Sequence, residues 1–470
     1  MKKNIFSINK IIKSAFVFVV LGSFSIFAQL YTTGSVAIGP MRGLTKGQFI
    51  NAMKVGWNLG NTMDGSGTET GWGQPVTTQA MLDCVAKQGF KTLREPVTWS
   101  SHFGGAPTYT IDASFMARVA AIANYALNDS MYVIVNTHHD GWYNLGATGA
   151  AATTVQAEVV AIWTQIANEF KNYSDYLIFE IFNEPNAGAA NQYGGGDATS
   201  RANLAAYQTA AVAAIRATGG NNATRMIMLQ GISASPIAAS VATIPIPDAN
   251  ILVSIHTYDP GGFSMNCSPT TWGTSSDSSE VRNSLTSEQN MVATKGKVAV
   301  VGEWGSEACD VTASRATHAY YYAQQCRLHA MVPIWWDDGG TMEGSNGYGI
   351  LDRRSTPPSW AFPTIAQALV DGANSATFPT DIEPSIESKI SLNGGLVVKA
   401  GIVNYTLPKT SSVSLCIYNV QGKIVSTLVK TNQSAGNYEV KLPTKGITSG
   451  NYVLELKAGN NLVTKRINIM

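Results

Sequence analysis

The chain has 470 residues, 45% of them hydrophobic and 13% charged, which provides for a large core and excludes a disordered chain. The formal net charge of +1 is unevenly spread: +4 over 1–28 and +8 over 389–470 leave −11 between them, an acidic balance that argues against nucleic acid as a partner. No apolar run beyond residue 30 is long enough to span a membrane.

The first 28 residues read as a secretory signal peptide. Lys2, Lys3, Lys10 and Lys13 precede an apolar run over 15–27, and Ala28 suits the −1 position, although Ile26 is bulky for −3. The run is short for a membrane anchor. Export makes disulfides possible. Five cysteines follow, Cys84, Cys267, Cys309, Cys326 and Cys416, too few and of odd number for a disulfide scaffold. Cys84 and Cys326 lie in amphipathic helical stretches and read as buried thiols.

From about residue 40 to 374, apolar strands alternate with helices eight times. The strands are expected at 54–61, 90–97, 132–139, 177–185, 224–231, 251–259, 297–305 and 331–338. They are nearly continuous apolar runs, as strands buried on both faces should be. Helical patterns fall at 112–128, 153–171 and 201–217. Eight βα units imply an α/β fold, a (β/α)8 TIM barrel. An open doubly wound sheet is the alternative, but GlyTrpAsnLeuGlyAsn (56–61) lacks the third glycine of a phosphate-binding turn. Cys267 and Cys309 follow neighbouring strands of such a barrel and are expected to pair. Residues 375–388, rich in Ser, Pro, Thr and Glu, read as a linker. The segment 389–470, with strand-like runs at 413–420, 423–428, 438–442 and 452–456, reads as a small all-β, sandwich-like module.

In a barrel of this kind the active site sits at the C-terminal strand ends, and here those ends are polar. In strand order they carry Asn58, Arg94, His138-His139-Asp140, Asn183-Glu184, His256-Thr257-Tyr258, Glu303 and Trp335-Trp336-Asp337-Asp338. Glu184 and Glu303 end strands three positions apart and can face each other across the mouth, as a carboxylate pair for glycoside hydrolysis does. Glu180, four residues before Glu184, reads as a deeper structural carboxylate paired with a cation. His138 and His139 are adjacent on a strand and should point to opposite faces, so no shared metal ion is expected, and no cofactor. Eight of the ten tryptophans, Trp142 among them, lie at strand C-ends or in the loops that follow, which suits a neutral polymer of stacking sugar rings.

Taken together, GlyTrpAsnLeuGlyAsnThrMetAsp (56–64), TrpGly (72–73), ArgGluProValThrTrp (94–99), AsnThrHisHisAspGlyTrp (136–142), PheGluIlePheAsnGluPro (179–185), HisThrTyr (256–258), GlyGluTrpGly (302–305) and TrpTrpAspAspGly (335–339) resemble glycoside hydrolase family 5. The resemblance is to its bacterial endo-β-1,4-glucanases and covers 54–373. It implies a retaining β-glucanase with Glu184 as acid/base and Glu303 as nucleophile. Arg94, His138, His139, Asn183, His256, Tyr258, Trp142 and Trp336, with Trp335 as the alternative to Trp336, would surround the β-glucan, and Asn58 would touch the sugar on the non-reducing side. A β-mannanase or xyloglucanase, or a non-catalytic polysaccharide-binding barrel, is the rival reading. Glu95 departs from the family's aliphatic residue; it should point toward the helix layer and needs a cation or a proton. The tail, with ValSerLeuCysIleTyrAsnValGlnGlyLysIleVal (413–425), AlaGlyAsnTyr (435–438) and SerGlyAsnTyrValLeuGluLeu (449–456), resembles the C-terminal sorting domain of the type IX secretion route. That implies export to the medium or cell surface, with the secretion machinery as partner; a monomer is expected.

Overall fold

The eight apolar runs form eight parallel strands in a closed barrel: β1 Gly56–Asn58, β2 Thr92–Glu95, β3 Tyr132–Asn136, β4 Leu177–Glu180, β5 Ile227–Leu229, β6 Ile251–His256, β7 Ala299–Trp304 and β8 Val332–Trp335. This computed structural model describes residues 35–65, 67–379, 397–399, 401–407, 410–419, 423–443, 446–458 and 461–469. The expected signal peptide and the centre of the expected linker lie outside them. Every strand residue of the barrel is buried.

Alternation divides the strands between two cores. Ile134, Ile178, Met228, Leu252, Val300 and Ile334 fill the barrel, with Phe49, Ile50 and Met53 of the helix Lys46–Met53 packed among them. Val133, Val135, Phe179, Val253 and Val301 point out, under helices such as Ala113–Asn128, Ala150–Glu169 and Ala198–Ala217. The domain begins earlier than residue 40. Ala37 is fully buried, and Val36 and Ala37 exchange backbone hydrogen bonds with Leu127 and Ser174.

Two departures from regularity matter for the site. The β6–β7 register shifts between Ile255 and His256, which places His256 opposite Glu303. The β7–β8 register shifts between Val301 and Trp304. Such bulges re-aim side chains. Val300 faces the barrel, so strict alternation would turn Glu303 outward; after the shift Glu303 faces the mouth and Trp304 packs in the outer core. Gly302 makes room: a Cβ there would lie 3.0 Å from His256 Nε2.

After a two-strand ribbon, β9 Leu351–Asp352 with β10 Ser359–Trp360, comes the tail. Its strands are β11 Val397–Lys399, β12 Ile402–Leu407, β13 Ser411–Tyr418, β14 Ile424–Gln433, β15 Gly436–Lys441, β16 Gly450–Ala458 and β17 Asn461–Ile469. They form a three-stranded sheet, β11-β12-β15, and a four-stranded one, β14-β13-β16-β17. Val403 and Tyr405 of one sheet share a core with Leu415 and Leu454 of the other, as in a sandwich.

Candidate active site

Arg94 organises the floor of the mouth. It is fully buried, and every arm of its guanidinium is engaged. Nε donates to Glu180 Oε2 at 2.7 Å, Nη1 to Glu303 Oε1 at 2.7 Å and to Asn58 Oδ1 at 3.0 Å, and Nη2 to Asn183 Oδ1 at 2.7 Å. Glu180 also accepts from Asn136 Nδ2 at 3.0 Å and Ser254 Oγ at 2.6 Å, so it is the structural carboxylate that the sequence suggested. Asn58 is fully buried, and its Nδ2 donates to the carbonyls of Gly302 and Trp335. Asn58 and Arg94 therefore do not present themselves to a sugar, contrary to expectation. They hold the groups that do.

Glu303 receives a second donor, Tyr258 OH, on Oε2 at 3.2 Å. Burial pushes its carboxyl above the ordinary range, while His256 and Arg94 pull it back toward ionisation. Glu184 sits on the turn beyond β4 with its side chain 41% exposed, and His256 Nδ1 lies 2.8 Å from its Oε1. Burial opposes charge on Glu184, but the His256 ring overrides it and holds the carboxyl below its ordinary range. His256 itself is raised: Glu303 and Glu184 outweigh the effect of burial. The resemblance makes Glu184 the acid/base; the structure pairs it with His256, whose ring favours the charged carboxylate and is itself favoured in its protonated form. One carboxylate oxygen each of Glu184 and Glu303 and a nitrogen of His256 all lie within 4.8 Å of one another.

His138 and His139 converge, which the alternation argument did not foresee. β3 ends at Asn136, so the two rings follow no strand parity; both Nε2 atoms lie 4.0 Å from Asp64 Oδ2. The trio is still poorly suited to a metal. Asn136 Oδ1 accepts from Val97 N, which fixes the amide and aims its Nδ2 at His138 Nδ1, 3.2 Å away. His138, kept neutral chiefly by burial, then carries its proton on Nε2 and has no lone pair there for an ion. That nitrogen lies 3.9 Å from Glu303 Oε1 and 4.0 Å from Asp64 Oδ2.

The tryptophans divide sharply. Trp57, Trp99, Trp304 and Trp335 are fully buried and Trp272 nearly so. Trp335 packs against Trp304, and its Nε1 donates to Tyr348 O at 3.1 Å, which removes it as a sugar platform; β8 turns it into the outer core. Trp336, the next residue, is half-buried and lies parallel to His138, with ring centroids 5.8 Å apart and planes 2° from parallel. Gly60 permits this: a Cβ there would come within 2.7 Å of the Trp336 ring. Trp142 is half-buried against Phe103, while Trp72 is exposed and leans on His139. The face open to a glycan thus consists of Trp336, Trp72 and Trp142 rather than eight rings.

Two residues near the site went unassigned. Asp64, within a quoted motif, accepts from the backbone of Asn61 and Thr62 beside the histidines. Tyr348, in a loop with no motif to mark it, packs edge-on against Tyr258. Cys267 and Cys309 form the expected disulfide. Cys326 is buried and Cys84 only half-buried.

A (β/α)8 barrel with a facing glutamate pair on an arginine-braced floor is the apparatus of a glycoside hydrolase. Residues 58–340 match the cellulase family, glycosyl hydrolase family 5, and 399–470 match the secretion system C-terminal sorting domain. The chain belongs to glycosyl hydrolase family 5 and carries that sorting domain at its C-terminus. It is 41% identical to endoglucanase B of Clostridium cellulovorans over 77% of this chain and 82% of that one. Among solved structures it resembles a GH5-4 broad specificity endoglucanase from Clostridium acetobutylicum, at 40% identity and TM-score 0.67 over 70% of this chain and 99% of that one. The same enzyme type from Ruminococcus champanellensis, solved with bound cellotriose, matches at 34% identity and TM-score 0.67 over 71% of this chain and all of its own.

Proposed function

We propose that the protein is a secreted, retaining endo-β-1,4-glucanase. The observation that carries this is the close facing of Glu184 and Glu303, an oxygen of each within 4.8 Å of the other with His256 Nδ1 reaching both, which suits the closely spaced carboxyls of a retaining enzyme rather than the wider gap that admits a water in an inverting one. Glu303, oriented by Arg94 and Tyr258, attacks the anomeric carbon. Glu184 takes up the proton it shares with His256 and passes it to the departing oxygen; it then deprotonates the water that releases the glycosyl-enzyme. Trp336 floors the cleaved sugar, with His138, Asn183 and the exposed His139 beside it, and Trp142 and Trp72 lie further along the cleft.

The resemblance to broad-specificity endoglucanases, together with one to a xyloglucan-specific endo-β-1,4-glucanase from a metagenomic library at 33% identity, favours a range of β-glucans over cellulose alone. The sorting domain directs the enzyme out of the cell or to its surface, and the N-terminal segment 1–28 acts as its signal peptide. In the tail Tyr405 and Tyr452 are buried and Tyr438 stacks on Tyr405, which leaves little aromatic surface for glycan and favours an address over a binding module. The test is reducing-sugar release from a panel of β-glucans and mannans, with proton NMR of the first product. A β-anomer from a β-glucan supports the reading; an initial α-anomer, or release from mannan alone, overturns it.

A further inference from the structure

Tyr258 reaches the nucleophile from the loop after β6, its OH 3.2 Å from Glu303 Oε2. The backbone just before it is fixed: Thr257 N donates to Glu303 O at 3.2 Å, and Thr257 O accepts from Tyr322 OH at 2.9 Å. The ring has its own support. Among the described residues, the aromatic ring that packs on Tyr258 is Tyr348, edge-on, with centroids 5.5 Å apart and planes at 67°.

Tyr348 comes from the loop after β8, and that loop holds it still. Asp338 Oδ1 accepts from three backbone N–H groups, Gly340 at 2.8 Å and Tyr348 and Gly349 at 3.0 Å each. Trp335, buried and turned away from the cleft, gives its one donor to Tyr348 O. Gly347 O accepts from Ala308 N at 2.7 Å, which ties the loop to the segment after β7. The far end of the ring is fixed as well. The Tyr348 hydroxyl lies 3.1 Å from Ser264 O, on the helix Gly261–Asn266, and within reach of the Glu307 carboxylate, which Asn346 Nδ2 also meets at 3.3 Å. Gly305, two residues after Glu303, leaves the ring its place: a Cβ there would lie 3.0 Å from Tyr348 Cδ1. Tyr348 therefore braces the segments that follow β6, β7 and β8 against one another, with the Tyr258 ring at their meeting point.

We propose that Tyr348 is a positioning residue for the reaction: its ring fixes the Tyr258 ring so that the hydroxyl stays on Glu303 Oε2. A donor on a carboxylate favours the ionised form, so release of Tyr258 slows attack and makes Glu303 harder to ionise. The inference rests on the retaining glucanase reading.

The test uses the full chain and an aryl β-cellobioside with a 2,4-dinitrophenol leaving group, which departs without help from an acid, so that kcat/KM reports attack by Glu303. Tyr348→Leu is expected to lower kcat/KM about tenfold, mostly in kcat, and to move the acidic limb of the pH profile to higher pH. Tyr348→Phe, which keeps the ring, should hold kcat/KM within about threefold of the unsubstituted chain and leave the limb in place. Arg94, His138, His256 and Glu184, which also face Glu303, are unchanged in these variants. Tyr258→Phe should lose at least as much as Tyr348→Leu. The double variant should then be no worse than Tyr258→Phe alone, because the brace matters only while there is a hydroxyl to place. Losses that multiply in the double variant, or an acidic limb that Tyr348→Leu does not move, would overturn the proposal. If Tyr348→Leu does not fold, Gly305→Ala carries the test, since it displaces the ring without removing it; an unmoved acidic limb there has the same force. Multiplied losses leave the glucanase reading standing, whereas absence of turnover by the unsubstituted chain on both this substrate and the β-glucan panel removes both.

Discussion

Arg94 Nη1 and Glu303 Oε1 meet at 2.7 Å, and the arginine is wholly closed off from water. The same guanidinium holds Glu180 at 2.7 Å, so one cation serves a structural carboxylate and a catalytic one. Lysine carries the charge but not the fork and cannot reach all four partners. Arg94→Lys is expected to lower kcat by about 10²-fold or more through misplacement of Glu303. It should also cost about 3–5 kcal/mol of stability, because Glu180 loses a buried partner. With the cation displaced Glu303 is harder to ionise, so the acidic limb of the pH–rate profile should move to higher pH. An unchanged acidic limb in a folded variant would mean that Arg94 does not tune the nucleophile.

Among the described residues, Trp336 is the one half-exposed aromatic ring stacked on a histidine beside the nucleophile. If it floors the cleaved sugar and holds it in a distorted shape, Trp336→Ala should reduce kcat as well as affinity, by about 10²-fold in kcat/KM. Gly60→Ala, which forces the ring to move, should show the same pattern in weaker form. A rise in KM alone would make Trp336 a remote binding platform.

The architecture was legible because it rests on strand patterns: all eight barrel strands fall within their expected spans, and parity placed Glu95 and Glu180 on the correct sides of the wall. What was not legible depended on where the pattern breaks. The shift in β7 reverses the parity that would have turned Glu303 outward, and nothing in ValValGlyGluTrp (300–304) announces it beyond the glycine. The end of β3 at Asn136 lets His138 and His139 converge although adjacency suggested the opposite. Composition put eight tryptophans near the cleft, but five are core, because an indole at a strand end can turn outward beneath a helix as readily as toward a ligand. Asn58 and Arg94 were found as site residues yet misread as sugar contacts. A motif shows that a residue belongs to the site, whereas burial shows which layer it occupies.

The Cys267–Cys309 disulfide closes a loop spanning 42 positions and ties together the segments that follow β6 and β7, the first of which carries Tyr258. Cross-linking a loop of that length stabilises by about 2–4 kcal/mol. Replacing both cysteines with serine should therefore lower the midpoint of barrel unfolding. Tryptophan fluorescence reports that transition without interference, since all ten tryptophans lie between residues 57 and 360. Reductant should lower the midpoint of the unsubstituted chain and leave the double variant unmoved. Insensitivity of both would show that the bridge contributes nothing.

Glu95 is a residue whose presence costs the fold. It is fully buried on the outer side of β2, and neither carboxyl oxygen has a hydrogen-bond partner among the described residues. The nearby cation, Arg118, is already held by Glu69 at 2.8 Å through both Nε and Nη2. Burial therefore pushes Glu95 well above the ordinary range, with Arg118 too committed to offset it, and the folded protein keeps it protonated. An unfolded chain releases that proton above a pKa of about 4.3, so the group favours folding least at high pH. Its contribution is fully present below the unfolded pKa and is lost as pH rises toward the folded one. Glu95→Gln, isosteric and without a proton to lose, should thus become more stable relative to the unsubstituted chain by about 1.4 kcal/mol for each pH unit above about 5, until the folded Glu95 itself ionises. Below pH 4 the two should nearly coincide. Guanidinium unfolding followed by tryptophan fluorescence at pH 4, 6 and 8 measures this directly. A difference that does not change with pH would mean that Glu95 is ionised in the fold and has found a counter-charge.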